Sequence, residues 1–134
     1  MKPRTTVLIL PCRLPSLNDL KGRWALTNAR KRFERQLRPL PLSRRLALVQ
    51  PNGHALPSPR AVRCGMQITR YYGPRERPRD RDNLHGGAKP LRDALVRCGY
   101  LAGDGPDWLE EALVIETRSA TGKPSIVIAI WPLK

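Results

Sequence analysis

The sequence predicts an α/β (α+β) fold: a single domain, residues 1–134, in which a mixed β-sheet of about four to five strands carries two main helices. Three observations lead there. Val62–Tyr71 alternates apolar Val62, Cys64, Met66 and Ile68 with Arg63, Gln67 and Thr69, the period of a half-buried strand. Strand-length apolar runs stand near both ends of the chain, Thr5–Leu10 (TTVLIL) and Ser125–Trp131 (SIVIAIW). Between them, two segments carry apolar residues at helical spacing.

Taken in order, Thr5–Leu10 is a first strand closed by Pro11, and Leu14-Pro15-Ser16-Leu17-Asn18 is turn-rich. Thr27 is the candidate N-cap of a helix over Asn28–Arg38, with Ala29, Phe33 and Leu37 facing the core and Pro39 ending it. Residues 39–60 hold Pro39, Pro41, Pro51, Pro57, Pro59 and the Asn52-Gly53 pair, so this segment is expected to be a Pro-rich loop, with only Leu46–Gln50 a candidate for order. The alternating strand at 62–71 follows. After Gly86-Gly87, Pro90 sits at a first helical position, Leu91, Ala94, Leu95 and Cys98 share one face, and Gly99 closes the second helix. Ala112–Arg118 and Ser125–Trp131 form a closing pair of strands around the Thr121-Gly122-Lys123 turn; the last is apolar on both faces and therefore central or covered.

The charge balance points to a polyanion. The chain holds 25 Lys plus Arg against 11 Asp plus Glu, a net charge of +14, and residues 1–60 alone hold 13 basic and 2 acidic residues. Such a surface is the electrostatic footprint of a nucleic-acid-binding protein, with an anionic membrane the lesser alternative. No apolar run approaches the length of a spanning helix, and the start of the chain lacks the apolar core of a signal peptide, so a soluble, cytoplasmic protein is expected. Cys12, Cys64 and Cys98 form no zinc-type spacing with His54 and His85; an odd, scattered count fits buried thiols in a reducing compartment.

Arg75-Glu76-Arg77-Pro78-Arg79-Asp80-Arg81-Asp82-Asn83-Leu84 carries the chemistry. If extended, it would send Arg75, Arg77, Arg79 and Arg81 to one face and Glu76, Asp80 and Asp82 to the other. Carboxylates that close call for a cation between them, and oxygen-only ligands suit a hard ion such as Mg²⁺, completed by water and phosphate. Lys89 opens the second helix and Asp104 lies in a Gly-flanked turn beyond it, so three acids and a lysine are expected to converge. The alternative is a charged edge or linker whose Arg and Asp side chains neutralise one another.

Asp80-Arg81-Asp82-Asn83-Leu84, Lys89-Pro90-Leu91-Arg92-Asp93-Ala94-Leu95, Cys98-Gly99-Tyr100 and Asp104, in that order, resemble the RusA family of Holliday junction resolvases. Leu14-Pro15-Ser16-Leu17-Asn18 resembles the family's early P-P-S-x-N motif. The resemblance implies a Mg²⁺-dependent endonuclease, with Mn²⁺ as an alternative ion, that acts as a homodimer on branched DNA and nicks a four-way junction symmetrically. It also implies that Asp80, Asp82 and Asp104 hold the metal and that Lys89 is catalytic. Two departures stand out. His85-Gly86-Gly87 is inserted before the lysine, and Gly103 replaces the first acid of the final turn.

Arg75, Arg77, Arg79 and Arg81 are the candidate phosphate contacts, with Arg30, Lys31 and Arg35 on the first helix and Asn18 before it. Trp24, among Lys21 and Arg23, is the candidate aromatic contact to unpaired DNA, and Trp131 is expected in the core or at a dimer interface. Two other readings remain: an inactive relative that binds branched DNA, such as a phage or prophage regulator, and a small basic RNA-associated protein in which the Asp pair has no function.

Overall fold

The computed structural model describes residues 5–40, 47–49, 55–57, 63–103, 105–110 and 112–133. A four-stranded mixed sheet is built from β1 (Thr6–Leu10), β4 (Cys64–Tyr72), β5 (Leu113–Arg118) and β6 (Ser125–Pro132), in the order β1-β6-β4-β5. Within the Pro-rich segment, β2 (Ala47–Val49) and β3 (Ala55–Pro57) pair antiparallel as a separate small sheet. The helices are α1 (Gly22–Leu37), α2 (Arg81–Gly87) and α3 (Lys89–Arg97), with a 3₁₀ turn at Leu17–Leu20.

The alternation in the sequence sets the register. Leu8 and Leu10 of β1, Ile126, Ile128 and Ile130 of β6, and Met66 and Ile68 of β4 are all buried in one core with Phe33, Leu37, Leu91 and Leu95 from the helices. Fully burying side chains of this size contributes about 1.5–3 kcal/mol each. β6 is central, as its apolar faces predict, and is antiparallel to both β1 and β4. The expected closing pair does not pair with itself: β4 lies between β5 and β6, and β5 runs parallel to β4. Two parallel neighbours require a crossover, and α2 and α3 supply it.

Helix α1 begins at Gly22, not at the expected Thr27 cap. A capping box between Ser16 and Asp19 organises the 3₁₀ turn, and Arg23–Leu26 are ordinary helix formers that extend the packed helix toward it. The core stripe of Ala29, Phe33 and Leu37 is as the spacing predicts. So is the end of α3, where Gly99 (φ +85°) lets Tyr100 N–H reach Leu95 O and Gly99 N–H reach Val96 O.

Two buried charges are not foreshadowed by the hydrophobic pattern. Glu34 of α1 is 3% exposed and takes Arg97 of α3 at 2.9 Å, with Arg30 and Arg38 of its own helix at 3.5 and 3.4 Å. This cluster fastens α1 to α3. Arg70 of β4 is 2% exposed and fastens the segment that follows its own strand.

Candidate functional site

Glycine 73 and the next residues turn the chain at the end of β4, with Glu76 N–H bonded to Gly73 O. The extended, alternating Arg75–Asp82 segment is therefore not formed. Residues 74 and 75 are a turn, 76–80 are irregular, and Arg81 already begins α2. The physical reason is local: Pro78 disfavours a ladder, and Asp80 is an N-cap whose carboxylate accepts from Asn83 N–H at 2.9 Å and from Asn83 Nδ2 at 2.9 Å. The two-face division of arginines and acids fails with it. Arg75, Arg77 and Arg81 are exposed, whereas Arg79 is half-buried.

Glu76 separates from the aspartates. Its carboxylate accepts from Arg70 Nη2 at 2.8 Å and from Gly73 N–H at 3.4 Å, and faces Arg13 at 3.3 Å. Burial alone would raise its pKa, but the Arg70 and Gly73 hydrogen bonds and the Arg13 and Arg70 charges outweigh it and hold it below the usual carboxylate value. Arg70 Nη1 donates to Glu116 of β5 at 2.6 Å and to Arg77 O at 3.2 Å. Glu116 also accepts from Arg79 N–H at 2.8 Å. Arg70 thus clamps residues 76–79 onto β4 and β5, and that clamp sets where Asp80 and α2 start.

Asp80 and Asp82 are both exposed at the entry to α2. Two positions apart on helical geometry, their Cα atoms lie about 5–6 Å apart. Each Asp80 oxygen takes one bond from Asn83, which leaves lone pairs for a further ligand. A pair of carboxylates with no nitrogen or sulfur donor fits a hard ion that keeps waters and shares a phosphate. Among the described residues, no three His, Cys, Asp or Glu side chains are grouped to hold a metal ion.

The third expected acid, Asp104, lies outside the described residues. Its neighbours are anchored at the start of β4: Gly105 O accepts from Trp108 and Leu109 N–H, Trp108 O accepts from Cys64 N–H, and Leu109 bridges to Cys64. Arg79, next to Asp80, is tied to Glu116, the register partner of Arg70. From Cys64 to Arg70 the strand advances roughly 3.3 Å per residue, so the two levels are roughly 20 Å apart. Lys89 is exposed at the first position of α3 and pairs with Asp93 at 3.6 Å.

The inserted glycines do not break α2; they let it pack closely. A Cβ on Gly87 would overlap Pro15 O, and one on Gly86 would meet Leu17 Cδ1 at 2.7 Å. The Leu14–Asn18 motif thus forms the shelf under α2, and Asn18 itself is exposed there. Of the other candidates, Lys31, Arg35 and Trp24 are exposed, Trp24 by 79%, while Arg30 is half-buried against Glu34. Trp131 is half-buried, its indole lying where a Cβ on Gly65 would be. The sequence reading missed Arg70, Glu116 and Arg13; the cap signal of Asp80 before Asn83-Leu84 would have revealed α2.

No protein-family model matches the chain, and no curated protein matches it. No helix among the described residues is long and apolar enough to cross a membrane.

Proposed function

We propose that the chain is a Mg²⁺-dependent, structure-selective endodeoxyribonuclease that works in the cytoplasm as a homodimer and resolves four-way DNA junctions by paired symmetric nicks, as its resemblance to the RusA family implies. The observation that carries this reading is the exposed Asp80–Asp82 pair at the entry to α2, set among exposed Arg75, Arg77 and Arg81. Asp80 also serves as the α2 cap, but a second acid, Asp82, beside it among exposed arginines suits a cation placed between the pair and the DNA. In this proposal Asp80 and Asp82 hold the ion, with Asp104 and Lys89 as further catalytic candidates. When bound, Mg²⁺ supplies Lewis-acid activation of water and of the scissile phosphate. The exposed arginines, with Lys31, Arg35 and Trp24 of α1, hold flanking phosphates and unpaired bases.

The second reading is an inactive relative that binds branched DNA. It is favoured by the Lys89–Asp93 pair, which occupies the candidate lysine, and by the anchoring of the Gly105–Leu109 turn on Cys64 at the far end of β4. One experiment separates the two. Labelled junction and plain duplex are incubated with wild type and Asp82→Asn, with and without Mg²⁺. Symmetric, Mg²⁺-dependent nicks that disappear in the variant support the nuclease. Equal junction binding by both proteins without cleavage under any divalent ion leaves only the binder.

A further inference from the structure

A cavity of about 340 Å³ opens between the segment after β1 and the edge of the Ala29–Phe33 face of α1. Its volume is at the small end of the range for ligand sites. Leu14, Ala29 and Phe33, all core residues, form the apolar walls. Arg13 and Arg32 stand on the lining as exposed cations, and Asp19 contributes a carboxylate. Gln36 lines the cavity with an amide whose Oε1 is buried and without a hydrogen-bond partner among the described residues. A buried acceptor left without a donor is costly to the free protein; the amide also bonds the Cys12 side chain, and the broad terminal torsion of glutamine allows its oxygen to turn toward a ligand.

From this combination we infer that the cavity is a pocket for one unpaired nucleotide, with the base seated over a floor of Leu14 and Phe33, its hydrogen-bonding edge on the Gln36 amide, and its phosphate on Arg13 and Arg32. An extruded base is held in this way, by apolar or aromatic walls and a polar group at its edge. An apolar ligand would leave the Gln36 acceptor unused, and a bare anion would leave the Phe33 wall unused. The pocket also adjoins the candidate site. Pro15, one of its walls, supports Gly87 of α2, and Arg13 bonds Glu76 in the segment leading to Asp80. The inference deepens the reading as a branched-DNA protein and rests on it: a four-way junction has bases at its centre that can leave their stacks, and the cavity would take one of them close to the aspartates.

Cys12 lines the same cavity and is half-buried, whereas Cys64 and Cys98 are each 1% exposed, so Cys12 is the natural reporter. Burial raises its pKa, a rise that the Gln36 hydrogen bond and the Arg32 charge offset only in part, so alkylation is run at mildly alkaline pH. The rate of Cys12 alkylation in the full chain is followed by mass spectrometry with each deoxynucleoside 5′-monophosphate and, separately, with inorganic phosphate. At a concentration several times the dissociation constant, at least one nucleotide is expected to slow alkylation about fivefold or more while phosphate does not. Gln36→Met, which removes the buried acceptor together with the amide's bond to Cys12 and keeps the shape, is expected to lose that protection relative to its own rate without nucleotide. Should it fail to fold, Arg32→Met on the exposed side of α1 is expected to weaken protection in its place. Protection by phosphate equal to that by every nucleotide, or full protection retained in Gln36→Met, overturns the proposal. The junction assay is run beside it. Cleavage without nucleotide protection sinks the pocket alone, and protection without junction binding or cleavage sinks the DNA-directed reading while leaving a nucleotide site.

Discussion

Replacing Arg70 by methionine is expected to cost about 3–5 kcal/mol at neutral pH, the usual penalty for removing one partner from a buried ion cluster. The structure accounts for a value of that size. Arg70 makes two short charge-assisted bonds, 2.6 Å to Glu116 and 2.8 Å to Glu76, and both carboxylates are largely buried, 14% and 13% exposed. Without the guanidinium, two like charges remain at that site with, among the described residues, Gly73 N–H, Arg79 N–H and the exposed Arg13 to compensate. For a domain whose total stability is about 5–15 kcal/mol, such a loss is a large fraction. The pH dependence is the sharper signature. In the wild type Glu76 is held below its ordinary pKa, so the stability it contributes is fully present above about pH 4.3 and is lost as pH falls through its folded value. In Arg70→Met the Arg70 hydrogen bond and charge are gone and burial is less opposed, so the depression of the Glu76 pKa shrinks and the variant loses less stability than the wild type as the pH falls. Urea unfolding at pH 7, 5 and 4 should therefore show the gap between the two proteins closing with acid. Adding Glu76→Gln and Glu116→Gln to Arg70→Met should recover most of the loss at pH 7. A cost below about 1 kcal/mol at pH 7, or a gap unchanged between pH 7 and pH 4, would refute the assignment of Arg70 as the clamp.

Asp80→Ala should lower stability by about 1 kcal/mol through loss of the α2 cap, while Asp80→Asn, an equally good cap, should melt like wild type; if the proposed metal role holds, both lose Mg²⁺-dependent cleavage. Gly87→Ala should cost about 1–3 kcal/mol or prevent folding, because the added Cβ meets the Pro15 carbonyl, which is backbone and cannot swing aside; thermal melting checks it. Arg81→Ala should weaken junction binding similarly for all sequences and reduce the slope of log affinity against log salt by about one, as measured by anisotropy titrations at several salt concentrations.

The strands and the core were legible because they follow a period. Leu8, Leu10, Met66, Ile68, Ile126 and Ile128 are buried where alternation puts them, and Ala29, Phe33 and Leu37 where a helical stripe does. Charge has no such period. Arg70 and Glu34 read as surface residues until their partners, Glu116 and Arg97, are brought in from elements far along the chain. Alternating Arg and Asp between positions 75 and 82 imitated a strand, yet a single cap bond at Asp80 decided for helix. The Gly86-Gly87 pair carried the opposite ambiguity. Glycine weakens an isolated helix, but here it permits the close approach of α2 to Pro15, a contact the local sequence does not encode.

The candidate site shows the same division between local and topological information. Asp80 and Asp82 could be placed just beyond the central strand because they follow it directly. Placing the turn at residues 105–108 required knowing which way β5 runs. Read as one of a closing pair with β6, β5 carried no constraint on that turn. Parallel to β4, it does: a crossover that leaves the end of one strand must re-enter at the beginning of its parallel neighbour, so the residues just before β5 belong at the start of β4. The bonds of Cys64 to Trp108 and Glu110 follow from that direction. The ends of β4 therefore carry different chemistry, carboxylates and exposed arginines at one and a turn packed on Trp108 at the other, and it is the first that the Arg70 clamp holds in place.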